Sequence, residues 1–324
     1  MPIRLGTLLE RVPPQVERQV KKAVANLRRS LADTLRAECG LAMQAGSTHV
    51  QVRVLVEPGY PVVLGEVEFP DDYEVRVALA QNRRQLEQVV NGAEGILELP
   101  PAALEWGTAA GDPDVQQCLE GSAGWARTVL RSLEEEDPLR WVLEFDEDIL
   151  GVYRYDVQPD NDDDKLPNRA SISLYWMVIG LVSEMLGCAV KDLTAVVLVH
   201  ELAHAHTQLG ADTGGRRWLA REFKRADSGL KEGLAQYYTD RVLRRLKTQH
   251  AGALAAYEAL TPRQPRIYRE HLEWSPLFSP EAVRRSLIEV RRWQEHSMGE
   301  FRKRLEQAQS ELPSYAVGPN EPAE

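Results

Sequence analysis

An apolar, helix-favouring run with two histidines four residues apart constrains this chain more than any other segment. The run reads Val196-Val-Leu-Val-His-Glu-Leu-Ala-His-Ala. On an α-helix, residues four apart lie on one face about one turn apart, so His200 and His204 can direct both imidazoles at one metal ion. Glu201 is turned about 100° from His200 and about 60° from His204, beside the metal. The spacing predicts a zinc site with Glu201 as general base.

The residues around this motif predict a buried helix with defined ends. Its buried stripe, at spacings of four, three and four, consists of Leu193, Val197, His200 and His204. Asp192 is the predicted N-cap, and Gly210 is the predicted stop. The alternative is that both histidines are core residues that hydrogen-bond inside the protein.

A catalytic zinc site usually has three protein ligands and one open position, so a third ligand is expected downstream. The best candidate is Glu232, on a second predicted helix capped by Asp227 or Ser228. Its carboxylate lies on an otherwise mostly apolar face and needs a cation there. Asp212, in a glycine-rich loop, is the rival ligand, although a turn role is commoner for such an aspartate. His206 points away from the pair and is expected at the surface or behind the ligands.

The two motifs, Val-His-Glu-Leu-Ala-His-Ala and then Glu-Gly-Leu-Ala-Gln-Tyr-Tyr, resemble those of the zincin metallopeptidases. The similarity is to the gluzincin branch and covers about residues 140–250. It implies a zinc ion held by His200, His204 and Glu232, with Glu201 as catalytic base. Thermolysin-like members carry an acid at the position of Gln236 that orients a zinc histidine. The amide oxygen of Gln can accept the imidazole N–H instead.

The resemblance also implies a short twisted sheet before the motif helix. Residues 150–155 and 170–175 are predicted strands, and residues 171–174 are the predicted edge for pairing with an extended peptide. The acidic loop 159–165 is interpreted as a solvated turn rather than a Ca²⁺ site, since it lacks EF-hand spacing. Four tyrosines are available to stabilise an oxyanion, and none is assigned: Tyr153, Tyr155, Tyr237 and Tyr238.

The periodicity of hydrophobic residues predicts the remaining helices and strands. Helices are expected near residues 16–35, 115–135, 176–182 and 280–305, strands at 49–56, 60–69 and 73–77, a linker at 95–115 and a frayed tail from 313. The chain is divided into an N-terminal α+β region for substrate or partner recognition (1–110), a zincin-like domain (111–262) and a C-terminal helical extension with an acidic tail (263–324).

Charge and composition exclude several classes of function. A net charge of −10 argues against general nucleic-acid binding, which needs a concentrated positive surface. The longest apolar run, residues 174–182, is far shorter than the roughly 20 residues that span a bilayer. The first residues lack a secretory signal, and the cysteines lack C-x-x-C spacing, so we expect reduced thiols and a cytoplasmic location.

The sequence thus predicts an α+β fold with a zincin-like domain, and a soluble zinc metalloendopeptidase that cleaves a protein or peptide substrate selectively. The alternative is a zincin scaffold that binds or regulates a partner, with catalysis secondary or lost. The oligomeric state is left open.

Overall fold

The computed structural model describes residues 4–43, 51–59, 73–98, 112–144, 149–156, 169–293 and 296–312. The strands are β1 (Val52–Glu57), β2 (Gly151–Asp156) and β3 (Arg169–Tyr175). The helices are α1 (Leu5–Glu10), α2 (Gln15–Cys39), α3 (Tyr73–Gln81), α4 (Arg83–Leu97), α5 (Pro113–Glu135), α6 (Pro138–Glu144), α7 (Trp176–Leu186), α8 (Val190–Leu209), α9 (Ala220–Arg225), α10 (Ser228–Arg245), α11 (Ala251–Leu260), α12 (His271–Trp274), α13 (Pro280–Trp293) and α14 (Met298–Glu311). The fold is therefore α+β and mostly helical, as predicted.

Helix α8, which carries the His-Glu-x-x-His motif, is the centre of the protein. Every residue from Leu193 to Leu209 is buried. This is possible because most residues of the helix are apolar and because it is enclosed by α2, α10, α11 and the strands β2 and β3. A histidine on such a helix is desolvated wherever it points, so its partners decide its role.

The described strands form one three-stranded sheet in the order β1-β3-β2. Parallel pairing joins β1 to β3, with Val52 opposite Ala170, and antiparallel pairing joins β2 to β3, with Gly151 opposite Leu174. The prediction that residues 171–174 form an edge is wrong, because β3 has a neighbour on each side. Among the strands that the structure describes, β2 is the edge strand next to α8.

The N-terminal elements belong to the same core as the motif helix. Helix α2 packs along α8, and β1 completes the sheet. The buried Glu38 of α2 also accepts hydrogen bonds from Arg241 at 2.9 Å and Arg245 at 2.7 Å, both on α10. The three-part division of the chain stays a prediction, but elements from both sides of residue 110 share one sheet and one hydrophobic cluster.

Several predicted elements are confirmed, with small shifts at their ends. These are the helices at 16–35, 115–135 and 176–182 and the strands at 49–56, 150–155 and 170–175, now α2, α5, α7, β1, β2 and β3. Gly210 does end α8, and Asp227 does cap α10 by accepting the N–H of Gly229 at 2.8 Å. Cys39, Cys118 and Cys188 are free.

Three predictions of local structure are wrong. Residues 73–77 begin helix α3 instead of a strand. The helix expected over 280–305 is two helices, and the second is capped by Ser297, whose hydroxyl accepts the N–H of Glu300. Asp192 lies in the first turn of α8, and Ala189 is the N-cap.

Some predicted segments lie outside the described residues. These are the strand at 60–69, the acidic loop at 159–165, the tail from 313 and most of the linker at 95–115. In the part of the chain that the structure describes, no helix is long and apolar enough to cross a membrane.

Candidate metal centre

The structure brings together three side chains that the sequence singled out. Nε2 of His200 lies 3.2 Å from Nε2 of His204, and each of these atoms lies 3.2 Å from Oε2 of Glu232. The two imidazole rings stand almost perpendicular, at 89°. His200, His204 and Glu232 thus present three donor atoms that converge on one point, and together they could hold a metal ion.

Two packed helices set this convergence. The histidines are one turn apart on α8, and Glu232 projects from the second turn of α10, which packs against α8. All three side chains are largely buried, with 10%, 10% and 15% of their surface exposed. A carboxylate so deeply buried needs a positive partner, and no Lys or Arg contacts it among the described residues.

The donor atoms fit a tetrahedral zinc site. Zinc–nitrogen and zinc–oxygen distances of about 2.0–2.1 Å put neighbouring ligands about 3.3 Å apart, close to the three separations here. Hydrogen bonds alone do not account for the triangle, because an ionised Glu232 has no hydrogen and each Nε2 carries at most one. Two hydrogens cannot link three pairs, whereas one cation at the centre satisfies all three donors.

The protonation states favour the same conclusion. Burial lowers the pKa of His200, although Glu232 partly opposes this effect, so the imidazole is held neutral. Burial acts to raise the pKa of Glu232, but attraction to His204 and hydrogen bonds with both histidines outweigh it and lower the pKa. A neutral His200 and an ionised Glu232 are the forms that bind metal, and a bound cation would replace the attraction that a protonated His204 exerts on Glu232.

A small pocket of about 30 Å³ lies beside the centre. His200, the buried Glu201 and Gln236 contribute its polar part. The remaining lining is mostly apolar and comes from five segments of the chain: Leu143, Ile149, Leu150, Gly151, Val196, Val197, Leu260, Gln264, Pro265 and Tyr268. The general base predicted from the motif therefore borders a cavity next to the donor triangle.

Two buried polar atoms at this pocket lack hydrogen-bond partners in the described structure: Nδ1 of His200 and Oε1 of Gln236. The Gln236 amide nitrogen donates to Oε1 of Gln264 at 3.2 Å, which leaves the Gln236 oxygen as an acceptor. Orphaned buried donors and acceptors are rare in native proteins. Because neither atom has a partner, the predicted hydrogen bond from an imidazole N–H to Gln236 is not formed between His200 and Gln236 in the described structure, and this role of Gln236 stays a prediction.

Tyr268 is a site residue that the sequence analysis missed. Its ring lies 5.7 Å from that of His200, and it lines the pocket beside Glu201. It lies in the 3₁₀ turn Arg266–Arg269, a segment with no hydrophobic periodicity, so no local pattern could have identified it. His271 supports this turn, since its Nδ1–H donates to the Tyr268 carbonyl and its Nε2 accepts from Tyr257.

The four tyrosines named from the sequence have other contacts. Tyr153 donates to Oε1 of Gln208 at 2.7 Å, and Tyr155 approaches the carbonyl of Ala220. Tyr237 packs on the ring of Trp274, and Tyr238 is buried. None of the four lines the pocket, among the residues described.

The rival ligand and the third histidine lie elsewhere. Asp212 accepts the N–H groups of Gly214 and Arg216 and pairs with Arg292 at 3.1 Å, which is the turn role expected of it. His206 is buried rather than exposed, next to the backbone of Leu41, and burial lowers its pKa to about 4. Neither belongs to the group of potential ligands.

The edge strand lies directly against the motif helix. A methyl group added at Gly151 would lie only 2.9 Å from Cγ1 of Val197 and 3.0 Å from the backbone oxygen of Ser173. Such separations are too short for real side chains, so glycine is required for this approach. At the other end of α8, the Tyr153 hydroxyl ties the same strand to Gln208. The start of β2 therefore borders the pocket beside Glu201.

Comparison with protein-family models, with curated proteins and with solved structures gives no match for this chain. The chemistry of the centre must therefore be argued from its own residues.

Proposed function

We propose that this chain is a zinc-dependent metallopeptidase of the gluzincin type, which cleaves a protein or peptide substrate selectively in the cytoplasm. The observation that carries the proposal is the triangle of donor atoms, with 3.2 Å between each pair from His200, His204 and Glu232. Three such ligands leave one coordination position open, as catalytic zinc sites do.

A zinc ion held there would supply Lewis acidity, which lowers the pKa of a water molecule and polarises a carbonyl group. Glu201 borders the same pocket and would accept the proton of that water and pass it to the leaving amine. Gln236 would hold His200 in the tautomer whose Nε2 lone pair faces the metal. Tyr268 is the aromatic hydroxyl residue nearest this chemistry among those that line the pocket.

The substrate would lie along β2 rather than β3. Because β3 is paired on both sides, the backbone edge next to the centre is that of β2. An extended peptide that adds to this edge would cross the pocket at Gly151 and Glu201. The pocket of about 30 Å³ would admit a small side chain and favour it over a large one.

The decisive experiment compares the wild type with Glu201→Gln in proteome-wide cleavage mapping. General acid–base assistance is worth about 10²–10⁴ in rate, or roughly 3–5 kcal/mol of barrier. Gln has nearly the shape of Glu, so the variant should retain one zinc per chain while almost all cleavage is lost. A binding or regulatory module would be indifferent to the substitution. Unchanged cleavage by a zinc-loaded Glu201→Gln variant would refute the proposal.

A further inference from the structure

A second polar groove lies on the loop that follows the motif helix. It has a volume of about 400 Å³ and lies between this loop and the C-terminal end of α13. Four of its seven lining residues are arginines: Arg216, Arg217, Arg291 and Arg292. Its other members are Gly215, Leu219 and Glu222. Nothing in the proposed peptidase reaction uses this groove.

Arg291 is the most informative member because it is buried, with 6% of its surface exposed. Its Nη2 donates to the carbonyls of Gly210 at 2.5 Å and Arg216 at 3.0 Å. Its Nε and Nη1 are buried and have no hydrogen-bond partner among the described residues. The two hydrogen bonds that hold the loop use only Nη2 of the guanidinium. A purely structural role for Arg291 therefore does not explain why Nε and Nη1 are buried.

The charges around the groove do not balance. Burial lowers the pKa of Arg291 to about 10, with Asp212 acting in the opposite direction, so this guanidinium stays charged at neutral pH. The nearby acids are Asp212, already engaged by two backbone N–H groups and Arg292, and the buried Glu222, which has interactions of its own. Among the described residues, four cations, of which Arg217 has an interaction of its own, stand against two engaged carboxylates, so this part of the groove is positive.

We propose that this arginine groove binds an oxyanion, either a phosphate group or a carboxylate. Guanidinium groups present planar pairs of N–H donors that match both ligands. Arg291 forms the buried wall, whereas Arg216 and Arg292 are exposed and Arg217 is half-buried. A bound oxyanion would add acceptors beside Arg291, whose Nε and Nη1 have none among the described residues. It would also fix the loop at residues 210–216, immediately after the helix that carries the histidines.

The test measures phosphate binding to the full chain by ³¹P NMR titration, at ionic strength kept constant with sodium chloride. The double variant Arg216→Gln/Arg217→Gln removes two cations from the groove. Arg221→Gln is the matched control, since it removes an exposed cation from the adjacent helix α9 but not from the groove. We expect phosphate binding about tenfold weaker or worse in the double variant and unchanged in the control.

A parallel titration with succinate identifies the source of the oxyanion, because preference for succinate indicates a carboxylate and preference for phosphate a phosphoryl group. Arg291→Lys provides a second variant, which keeps the positive charge but loses the planar pair of N–H donors. The folded variant should also bind phosphate more weakly. Absence of saturable binding to the wild type would overturn the proposal. So would equal binding by the double variant, which would locate phosphate elsewhere, including at a metal. Neither result depends on peptidase activity.

Discussion

The two candidates for the third metal ligand, Asp212 and Glu232, both follow the histidine pair along the chain, but their surroundings differ. Asp212 accepts two N–H groups of its own loop and pairs with Arg292, so fixed protein donors satisfy it. Glu232 is held between two imidazole nitrogens of a buried helix. The first environment stabilises a turn, whereas the second leaves three acceptor atoms around a point that a cation would fill.

The difference shows how position within a fold selects between equivalent residue types. Both residues were chemically acceptable as third ligand. Asp212 lies where the chain has just left α8 and its own loop offers backbone donors. Glu232 lies on a rigid helix whose packing directs the side chain back to α8. A ligand on a helix is also held more firmly than one on a loop.

The largest effect is expected from removal of the N-terminal elements, which tests whether the surroundings of both carboxylates depend on them. A chain that begins at Gly111 lacks α2, β1 and the backbone bridge in which Ala42 and Ala211 exchange hydrogen bonds at 2.9 and 2.8 Å. We expect no cooperative unfolding transition and no stoichiometric zinc, as measured by circular dichroism and metal analysis. A truncated chain that folds and keeps zinc would show that residues 1–110 form a separate unit.

The milder variant Glu38→Gln keeps the whole chain but weakens the contacts from α2 to Arg241 and Arg245. Both arginines are partly exposed, so solvent screens these ion pairs. We expect a loss of roughly 1–3 kcal/mol in the free energy of unfolding in urea. Zinc content should be unchanged, because the substitution does not touch the ligands.

The next largest effect is a loss of zinc affinity, for which the two carboxylates can be compared directly by substitution. Glu232→Ala removes one of three proposed ligands and should weaken zinc binding more than about 100-fold, beyond what loss of a supporting hydrogen bond causes. Asp212→Ala should leave the zinc affinity within a few-fold of wild type. Competition with a chromogenic chelator measures both. The reverse order would transfer the third-ligand role to Asp212.

A smaller effect is expected at the residue proposed to orient His200. Gln236→Leu removes the proposed acceptor for the Nδ1–H of His200 and, if Gln236 orients that histidine, should weaken zinc binding by about 10–100-fold. Gln236→Glu keeps an acceptor and should retain most of the affinity. If both variants bind zinc equally well, Gln236 does not orient the histidine.

The smallest effect concerns the stability contributed by Asp212. Burial acts to raise its pKa, but the Arg216 N–H and the Arg292 guanidinium outweigh burial and hold the pKa below the ordinary 3.8. A lowered folded-state pKa means that this stabilisation is present above about pH 4 and is lost as pH falls through the lowered value. We therefore expect Asp212→Asn to cost about 1 kcal/mol at pH 7 and less at pH 3. Urea unfolding at the two pH values measures this; a cost independent of pH would contradict the assignment.

The candidate metal centre, as a cluster of His200, His204 and Glu232, could be predicted from sequence because its parts lie on two helices with strong local signals. The His-x-x-x-His spacing and a carboxylate on a mostly apolar face are both visible in the residue order. Tyr268 and the pocket lining could not be predicted, because they come from segments far apart in the chain that only tertiary packing brings together.

The wrong predictions have physical causes of the same kind. Tyr73, Val75 and Val77 alternate as a strand does, but Val77 and Ala80 are the buried pair, at helical spacing. The identity of the edge strand depends on β1, which pairs with β3 across more than a hundred residues of chain. The break between α13 and α14 has a local signal in the sequence, since Ser297 followed three residues later by Glu300 is typical of a helix start.

Gly151, at the start of β2, bears on when and how a peptide could be positioned beside Glu201. Since glycine leaves only a hydrogen atom between the strand and Val197, the start of β2 and helix α8 are in direct contact beside Glu201. In the proposed reaction the register between a docked peptide and Glu201 is therefore set before the peptide arrives. Under the proposed function, the protein would lose little conformational entropy on binding, and the peptide would have to become extended before it could be cut.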